Sequence, residues 1–301
     1  MTAATPERVL VTGAAGLLGR RVVAALQALG VAVTALDLAP CDDLQVDRPV
    51  VGSAGDVNVV RRALDGVDAI VHLAAIPSPV RAPAEQVFCG NTAATFNVLE
   101  QGAQAGVRRA VIASSYAITG LPFARAARQP AYLPIDEEIP LQIEDPYALS
   151  KHVDELVAQS MWWQHGLSVV ALRFPFLGGI EDDLAKRAAR IAADPAFAAR
   201  ELWMYLETRD AATACVLALT APLHGCHVVA LAAPNTLAPY PTAQLLETYY
   251  PTVPRRTVFD GQAAPIDVRR AQSLLGWAPT HLWTTDERDL GGSAVRERQV
   301  V

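Results

Sequence analysis

Cysteine, aromatic residues and charge are all scarce in this sequence. Its 301 residues include four cysteines, 6% aromatic residues and 19% charged residues. Zinc and iron–sulfur sites need cysteines or histidines at short intervals, whereas Cys41, Cys89, Cys215 and Cys226 are far apart. No metal site is therefore expected. Four thiols in a chain of this length are also typical of a reducing compartment, which argues against a disulfide-rich secreted domain.

Long apolar runs and an excess of basic residues are absent as well. No run approaches the roughly 20 apolar residues of a membrane-spanning helix. The start, MTAATPERVLVTGAAG, lacks the basic and apolar regions of a secretory signal. The formal net charge of -6 argues against an electrostatic surface for nucleic acid or anionic membranes. We therefore expect a cytoplasmic protein that binds neither nucleic acid nor a membrane.

Strand-like apolar runs alternate with longer helical patterns over the first 175 residues. The runs are RVLVTG (8–13), VAVTALD (31–37), DAIVHLAA (68–75), RRAVIASS (108–115) and LSVVALRF (167–174). Continuous apolar strands separated by helices are typical of a parallel sheet that is covered by helices on both faces. The sequence therefore predicts an α/β fold with a doubly wound parallel sheet.

Three further segments follow from composition. Residues 121–145 are rich in proline and acids and too long for an ordinary turn, so they are expected to form a functional loop near a site. Residues 176–285 mix helical and strand-like patterns, which predicts a smaller α/β region that can interlace with the first domain (1–175). Residues 286–301 are polar and are predicted to form a flexible tail.

The stretch DPYALSK (145–151) has the features of a helix start. Asp145 can cap the helix, and Pro146 stands where no amide hydrogen is needed. Tyr147 and Lys151 then lie on one helical face. Alone, the pair fits both a proton-transfer site and an ordinary amphipathic helix.

A glycine-rich turn joins the first predicted strand to its helix. Gly13, Gly16 and Gly19 permit a tight turn and close backbone approach, and a helix N-terminus favours the negative charge of a pyrophosphate. Asp37 ends the second strand 24 residues after Gly13, near the spacing of about 20 residues expected for an acid that binds ribose hydroxyls. An acid there would repel a 2′-phosphate. The sequence therefore predicts a Rossmann-type site for NAD rather than NADP.

Five motifs in this order carry a family resemblance: TGAAGLLG (12–19), GDV (55–57), HLAA (72–75), ASS (113–115) and YALSK (147–151). With them the chain resembles the extended short-chain dehydrogenase/reductase superfamily. Within it, the chain is similar to the NAD-dependent epimerase/dehydratase group, which includes nucleotide-sugar 4-epimerases and uronate dehydrogenases. The likeness is strong over residues 8–176 and continues more weakly through LGWAP (275–279).

The resemblance implies roles for individual residues. Tyr147 would be the general acid/base, Lys151 would bind the nicotinamide ribose and favour the tyrosine phenolate, and Ser115 would hydrogen-bond the reacting oxygen. His72 would be a packed strand residue. The implied cofactor-binding residues are Gly13, Gly16, Leu17, Leu18, Gly19, Asp37, Asp56, Val57, Leu73, Ala74, Ala75, Asn91, Ser114, Tyr147, Lys151 and Pro175. Among these, Asp56 and Val57 would contact the adenine.

The same resemblance narrows the reaction. Tyr116-Ala117 replaces the acidic pair of related dehydratases, which leaves simple oxidation of a sugar or nucleotide-sugar hydroxyl, or transient oxidation and re-reduction. Two alternatives stay open, a nucleotide-sugar epimerase and a uronate-type dehydrogenase with net NADH production. Ser115, Tyr116 and Arg200 are the candidate substrate residues, since Arg200 matches the spacing of a carboxylate-binding arginine. A non-catalytic, redox-sensing regulator is a third reading, against which Tyr147 and Lys151 argue.

Aromatic residues suggest two more features. Trp203 and Tyr205 alternate as on a strand, so they either line the substrate pocket or pack in a core. Trp162 and Trp163 lie on the back of the helix that carries Tyr147, which predicts packing or a homodimer interface built from that helix.

Overall fold

The computed structural model describes residues 5–290. The strands are β1 (Arg8–Thr12), β2 (Ala32–Asp37), β3 (Arg48–Val51), β4 (Ala69–His72), β5 (Arg109–Ser115), β6 (Ser168–Phe174), β7 (Phe176–Gly178), β8 (Tyr205–Glu207) and β9 (Cys226–Ala230). The helices are α1 (Leu17–Ala28), α2 (Val57–Ala63), α3 (Ala84–Gln104), α4 (Pro146–His165), α5 (Ala185–Ala193), α6 (Thr208–Thr220), α7 (Thr242–Tyr249) and α8 (Arg269–Leu275). No helix within residues 5–290 is both long and apolar enough to cross a membrane.

Seven parallel strands form the central sheet, in the order β3-β2-β1-β4-β5-β6-β9. The chain winds outward from β1 to β3 and then returns to place β4 on the other side of β1. In such sheets, ligands bind where the strand order reverses, at the carboxyl ends of the strands. The predicted doubly wound parallel sheet is thus confirmed, and its topology locates a crevice between β1 and β4.

Both faces of the sheet are buried because successive strand side chains point to opposite sides. On β1, Val9 and Val11 belong to the core that also contains residues of α1 and α6, whereas Leu10 belongs to the core beneath α2, α3 and α4. All three are fully buried. This two-sided burial explains why the strands are continuous apolar runs in the sequence.

The part of the chain after residue 175 returns to the main sheet. Strand β9 pairs in parallel with β6, and α6 packs beside α1. The predicted division at residue 175 therefore separates stretches of sequence, while the sheet itself takes strands from both sides of it. Of the predicted tail, residues 286–290 are hydrogen-bonded to the body of the protein, since the Leu290 amide donates to Gln244 Oε1 at 2.9 Å. Residues 291–301 lie outside the described part of the chain.

A separate aromatic core lies under the region between β7 and α7. Trp203 and Tyr205 are both fully buried there. The Trp203 indole donates to the Pro195 carbonyl at 2.7 Å, and the Tyr205 hydroxyl donates to Asn235 Oδ1 at 2.9 Å. Trp203 has φ 55° and lies in a turn rather than on a strand. Of the two interpretations, the structure therefore supports core packing for this pair.

The loop 121–145 has no helix or regular strand, and its backbone is fixed by the later part of the chain. The Leu133 amide donates to the Pro254 carbonyl, and the Ile135 amide donates to the Pro265 carbonyl. Its last residue, Asp145, caps α4 by accepting a hydrogen bond from the Ala148 amide at 2.8 Å. The loop therefore connects the second region to the start of the helix that carries Tyr147.

His72, at the end of β4, is a buried structural residue. The Thr12 hydroxyl oxygen accepts from the amides of Leu73 and Ala74, so its proton is donated to His72 Nδ1, 2.7 Å away. His72 Nε2 then donates to the Thr95 hydroxyl at 3.1 Å. Burial, with the nearby Lys151 charge, lowers the pKa of His72 to about 3, so the ring is neutral and packed, as the sequence indicates.

We expect His72 to weaken the fold in acid. Between pH 6.5 and about 3 the unfolded chain binds a proton at this ring and the folded chain does not, so the free energy of unfolding falls as the pH falls. The loss is at most about 1.4 kcal/mol per pH unit. Urea unfolding of His72→Gln across this range should show a shallower decline than the wild type. The exposed His224 gives the control His224→Gln, and an unchanged slope in His72→Gln would contradict the assignment.

Candidate active site

The glycine turn lies at the crevice between β1 and β4. Gly13 has φ 69°, and a Cβ there would lie 2.8 Å from the Ala74 amide nitrogen. A Cβ on Gly19 would overlap the Gly13 carbonyl oxygen. Gly16 begins α1 without a side-chain cap, so the first-turn amides of the helix are left for a ligand. These features fit a pyrophosphate at the helix N-terminus.

Asp37 is held at the carboxyl end of β2 beside this turn. Its Oδ2 accepts a hydrogen bond from the Ala15 amide at 2.9 Å, and its Oδ1 accepts from the Ala39 amide at 3.1 Å. Two hydrogen bonds hold the carboxylate in the cavity lining beside the glycine turn, which is the position that the predicted contact with ribose hydroxyls requires.

One continuous cavity of about 1000 Å³ runs from the glycine turn across the ends of the strands. Ligand pockets typically measure about 300–1,000 Å³. Of the predicted residues, those that line it are Gly13, Gly16, Leu17, Leu18, Gly19, Asp37, Leu73, Ala74, Ala75, Asn91, Ser114, Ser115, Tyr116, Tyr147, Lys151 and Pro175. The sequence thus identified the residues along most of the length of this cavity.

The predicted adenine contacts, Asp56 and Val57, are not among the lining residues. Asp56 Oδ1 caps α2 by accepting hydrogen bonds from Asn58 and Val59, and Val57 begins that helix. The cavity wall beside them is made by residues 52–55. The carboxylate of Asp56 is already used by the helix, which is why the lining shifts to the preceding turn.

Asn91 joins the cofactor side of the cavity to the helix α4. Its Oδ1 accepts from the Ile76 amide at 2.8 Å, and its Nδ2 donates to the Ile76 carbonyl and to the Ser150 hydroxyl. Ser150 directly precedes Lys151. This buried amide therefore fixes the strand end after β4 relative to α4, as the structural role implied by the resemblance requires.

Ser115, Tyr147 and Lys151 all line the same cavity. The Ser115 hydroxyl oxygen accepts from the Ala117 amide at 3.1 Å, so its proton is free to be donated. Tyr147 is 8% exposed and packs edge-on against Phe123, with 6.1 Å between ring centroids. The three side chains predicted to carry the chemistry therefore face one space together with the glycine turn.

Asp154 is a functional neighbour that the sequence reasoning missed. The Lys151 ammonium donates to the Ala113 carbonyl at 2.9 Å and to Asp154 Oδ2 at 3.1 Å, and both side chains are almost fully buried. Burial raises the pKa of the Asp154 carboxyl, and the adjacent Lys151 charge opposes that rise. The three-residue spacing on one helix was the signal that could have identified the pair.

The two serines of β5 have different partners. The Ser114 hydroxyl donates to Glu155 Oε1 at 2.6 Å, and Glu155 also accepts two hydrogen bonds from the Arg173 guanidinium, at 2.9 and 2.8 Å. Ser114 therefore stabilises the packing of α4 on the sheet, while the Ser115 hydroxyl remains available to a ligand.

Arg200 does not reach the cavity, contrary to the prediction from its spacing. Its guanidinium donates to the Ala124 carbonyl at 2.7 Å, and its own carbonyl accepts from the Tyr116 hydroxyl at 2.7 Å. Tyr116 lines the cavity, but its hydroxyl is used by this contact, and burial raises its pKa well above the usual value. The next residue, Glu201, lines the cavity instead.

Within the described residues 5–290, no three His, Cys, Asp or Glu side chains are grouped so that they could hold a metal ion. The polar groups of the cavity are instead backbone amides, hydroxyls and single charges, which fit a dinucleotide and an organic substrate.

Comparisons with known proteins agree with this geometry. The model of the NAD dependent epimerase/dehydratase family matches residues 9–232. A solved short-chain dehydrogenase/reductase superfamily protein from Agrobacterium tumefaciens, with bound NAD, superposes with a TM-score of 0.68 and 28% identity, over 92% of this chain and 93% of that one.

Relatives of known activity differ in how much of the chain they match. A UDP-glucose 4-epimerase of Azospirillum brasilense is 31% identical over 194 residues, or 60% of this chain and 51% of that protein. A uronate dehydrogenase of Pseudomonas syringae pv. tomato is 29% identical over 175 residues, or 57% of this chain and 60% of that protein. The chain thus matches only about half to three fifths of these two proteins. A 3-diazoavenalumate denitrifying reductase of a Streptomyces species is 30% identical over 299 residues, or 92% of this chain and 90% of that protein.

The family match spans most of the chain, and the NAD-bound structure superposes over nearly all of it. The chain therefore belongs to the NAD dependent epimerase/dehydratase family of extended short-chain dehydrogenases/reductases, and it is an enzyme whose cofactor is NAD.

Proposed function

We propose that this enzyme oxidises a secondary hydroxyl of a sugar or nucleotide-sugar, with Tyr147 as the general acid/base. The observation that carries the proposal is that Ser115, Tyr147 and Lys151 line the same cavity as the glycine turn and Asp37. A substrate bound in this cavity can therefore contact both the proton acceptor, Tyr147, and the dinucleotide. The cofactor NAD supplies the hydride acceptor for this chemistry.

In the proposed reaction the substrate hydroxyl donates a hydrogen bond to the Tyr147 phenolate, while the Ser115 hydroxyl donates to the same oxygen. Tyr147 takes the hydroxyl proton as the carbon loses a hydride, so a carbonyl forms and both electrons leave with the hydride. The Lys151 ammonium would hold NAD by donating to the nicotinamide ribose, and its positive charge would face the oxygen of Tyr147 during proton transfer. Asp154 and the Ala113 carbonyl hold that ammonium in place.

The outcome after oxidation distinguishes an epimerase from a dehydrogenase. An epimerase reduces the ketone again from its other face, whereas a dehydrogenase releases the carbonyl product and NADH. The UDP-glucose 4-epimerase relative supports an epimerase and the uronate dehydrogenase relative supports a dehydrogenase, although each relative is matched over only part of its own length. The nearly full-length match to a reductase supports a second candidate, net reduction of a substrate that is not a sugar. A regulator without catalysis is disfavoured, because the catalytic side chains remain in the cavity.

We further propose that residues 1–175 bind NAD and that residues 176–285 supply the substrate end of the cavity. Phe176, Leu177 and Glu201 from the second stretch line it.

The four cysteines are free thiols, which supports a cytoplasmic location.

A homodimer through α3 and α4 is also part of the proposal. Leu149, Leu156 and Trp163 recur every seven residues on α4 and are 42%, 56% and 76% exposed, so they form one apolar stripe. Phe96 on the adjacent α3 is 47% exposed. Apolar stripes of this kind are commonly covered by a partner.

Tyr147→Phe should lower kcat/KM at least about 100-fold, because the proton acceptor is lost, while the Kd for NAD changes little. Turnover is followed by NADH absorbance and product chromatography with neutral sugars, uronic acids and UDP-sugars. NADH formation identifies a dehydrogenase, and product without NADH identifies an epimerase. Tyr240→Phe, whose hydroxyl donates to the distant Ala192 carbonyl, is the matched control. Full activity of Tyr147→Phe would disprove the mechanism.

Asp37→Asn should narrow the preference for NAD over NADP by at least about tenfold, since a like charge opposite the 2′-phosphate costs several kcal/mol. The amide oxygen can still accept from the Ala15 amide. Steady-state kinetics with both cofactors measure the ratio, and Asp42→Asn on the exposed turn nearby controls for general charge. An unchanged ratio would show that Asp37 does not discriminate.

Leu156→Lys should give a monomer in light scattering after size-exclusion chromatography, because a charge in a desolvated apolar interface is costly. Leu29 is 58% exposed at the end of α1, so Leu29→Lys is a control of equal chemistry and exposure. If wild type and Leu156→Lys have the same mass, α4 is not the interface.

A further inference from the structure

The end of the cavity beyond Tyr147, which we call the substrate end, is mostly apolar and carries one acid. It is lined by Tyr116, Pro122, Phe123, Phe176, Leu177 and Glu201. In the described part of the chain, the other charged lining residues are Asp37, Arg81 and Lys151. Asp37 lies at the adenosine end, Lys151 is paired with Asp154, and Arg81 is exposed. Glu201 is therefore the charge that a substrate meets at this end.

Glu201 is fixed by an arginine behind it. Arg187 of α5 forms an ion pair with Glu201, and the two side chains are 12% and 28% exposed. The Arg187 guanidinium also lies over the rings of Phe176 and Phe197, 4.0 and 5.0 Å from their centroids. Burial lowers the pKa of Arg187 to about 10, so it stays charged at neutral pH.

Arg187 itself is not a lining residue. The pair therefore presents its negative member to the cavity and keeps its positive member in the wall. A carboxylate is only an acceptor of hydrogen bonds, so it is satisfied by donors such as substrate hydroxyls. An anionic substrate group at the same place would be repelled, and the apolar walls would screen that repulsion weakly.

Within residues 5–290, the position of Arg200 leaves the negative charge of Glu201 without a second cation at the substrate end. The arginine whose spacing suggested carboxylate binding donates to the Ala124 carbonyl, so it does not offset the charge of Glu201 inside the cavity. A uronate carboxylate or a sugar diphosphate would meet an acid where it needs a base. Among the lining residues of the described chain, the exposed Arg81 is the remaining cation that could pair with such an anionic group.

We infer that Glu201 is a specificity residue that selects an uncharged, hydroxyl-bearing substrate and rejects uronates and nucleotide diphosphates. The inference rests on the proposed oxidation of a sugar hydroxyl and narrows its substrate class to neutral sugars. Glu201 accepts hydrogen bonds from hydroxyls other than the one facing Tyr147, and the aromatic and proline side chains pack against the apolar face of the sugar ring.

The test compares each neutral sugar with the uronate that differs from it only at one carbon, and with a nucleotide-sugar. Wild-type enzyme with NAD is assayed with glucose against glucuronate, galactose against galacturonate, and UDP-glucose. We expect kcat/KM for each neutral sugar to exceed that of its uronate at least about tenfold. Glu201→Gln should reduce this ratio at least about fivefold, mainly through KM for the uronate.

Two further variants keep the result interpretable. Because Glu201→Gln leaves Arg187 without its counter-charge, the double variant Arg187→Gln/Glu201→Gln removes both charges and should also reduce the ratio. Glu247→Gln, an acid that is 69% exposed and outside the cavity lining, should leave it unchanged. Thermal unfolding checks that each variant is folded.

Each outcome has one meaning. Preference of the wild type for a uronate or UDP-glucose would overturn the inference and leave the proposed oxidation of a sugar hydroxyl intact. An unchanged ratio in both folded Glu201 variants would also overturn it. Turnover of none of these sugars, with NAD bound, would instead overturn the proposed function on which the inference rests.

Discussion

The ion pair between Arg173 and Glu155 holds α4, the helix that carries Tyr147, on the sheet. Glu155 of α4 accepts two hydrogen bonds from Arg173 of β6 and one from Ser114 of β5. Arg173 also donates to the Glu137 carbonyl in the loop 121–145, and the Glu137 carboxylate accepts from the Ala230 amide of β9. Each of these groups is largely buried, so removal of one would leave its partners unpaired. The free-energy cost of an unpaired buried charge is larger than the net stabilisation that the intact pair provides. Three strands, the loop 121–145 and α4 thus share one polar junction.

Two largely buried ion pairs each have one member that lines the cavity. Lys151 lines the cavity, while Asp154 lies behind it on the same helix. Glu201 faces the substrate end, while Arg187 lies behind it on another helix. Each pair avoids the free-energy cost of burying an isolated charge. The member that lines the cavity still sets the sign of the electrostatic potential beside it, which is positive at Lys151 and negative at Glu201. The two ends of the reaction space therefore have opposite electrostatic character although the cavity is continuous.

The family motifs, together with local spacing, predicted most of the cavity residues around the glycine turn and Tyr147, because these residues lie within short segments of sequence. Gly19 is required by backbone contacts within its own turn, Gly13 has a positive φ that favours glycine, and Tyr147 and Lys151 are neighbours on one helix. The substrate half depends on which distant segments pack together, and spacing alone does not reveal that. Arg200 had a suggestive distance to Asp210 in sequence, but its partner, the Ala124 carbonyl, comes from a loop 76 residues earlier. Similarly, the alternation of Trp203 and Tyr205 suggested a strand through both residues. In the structure, Trp203 has a left-handed backbone conformation, so it does not belong to the strand that begins at Tyr205.

The second stretch of the chain leaves the sheet at the end of β6 and returns to it at β9, directly beside β6. The later residues that line the substrate end, Phe176, Leu177 and Glu201, thus belong to a single long crossover connection, which also contains α5. Both of its ends are fixed by adjacent strands, and it contributes α6 to one covering layer. Because both ends are held by neighbouring strands, the strand order of the sheet does not dictate the path that residues 175–207 take between them. The residues that this connection contributes to the cavity are thus separate in sequence from the strands and the helix that carry the glycine turn and Tyr147.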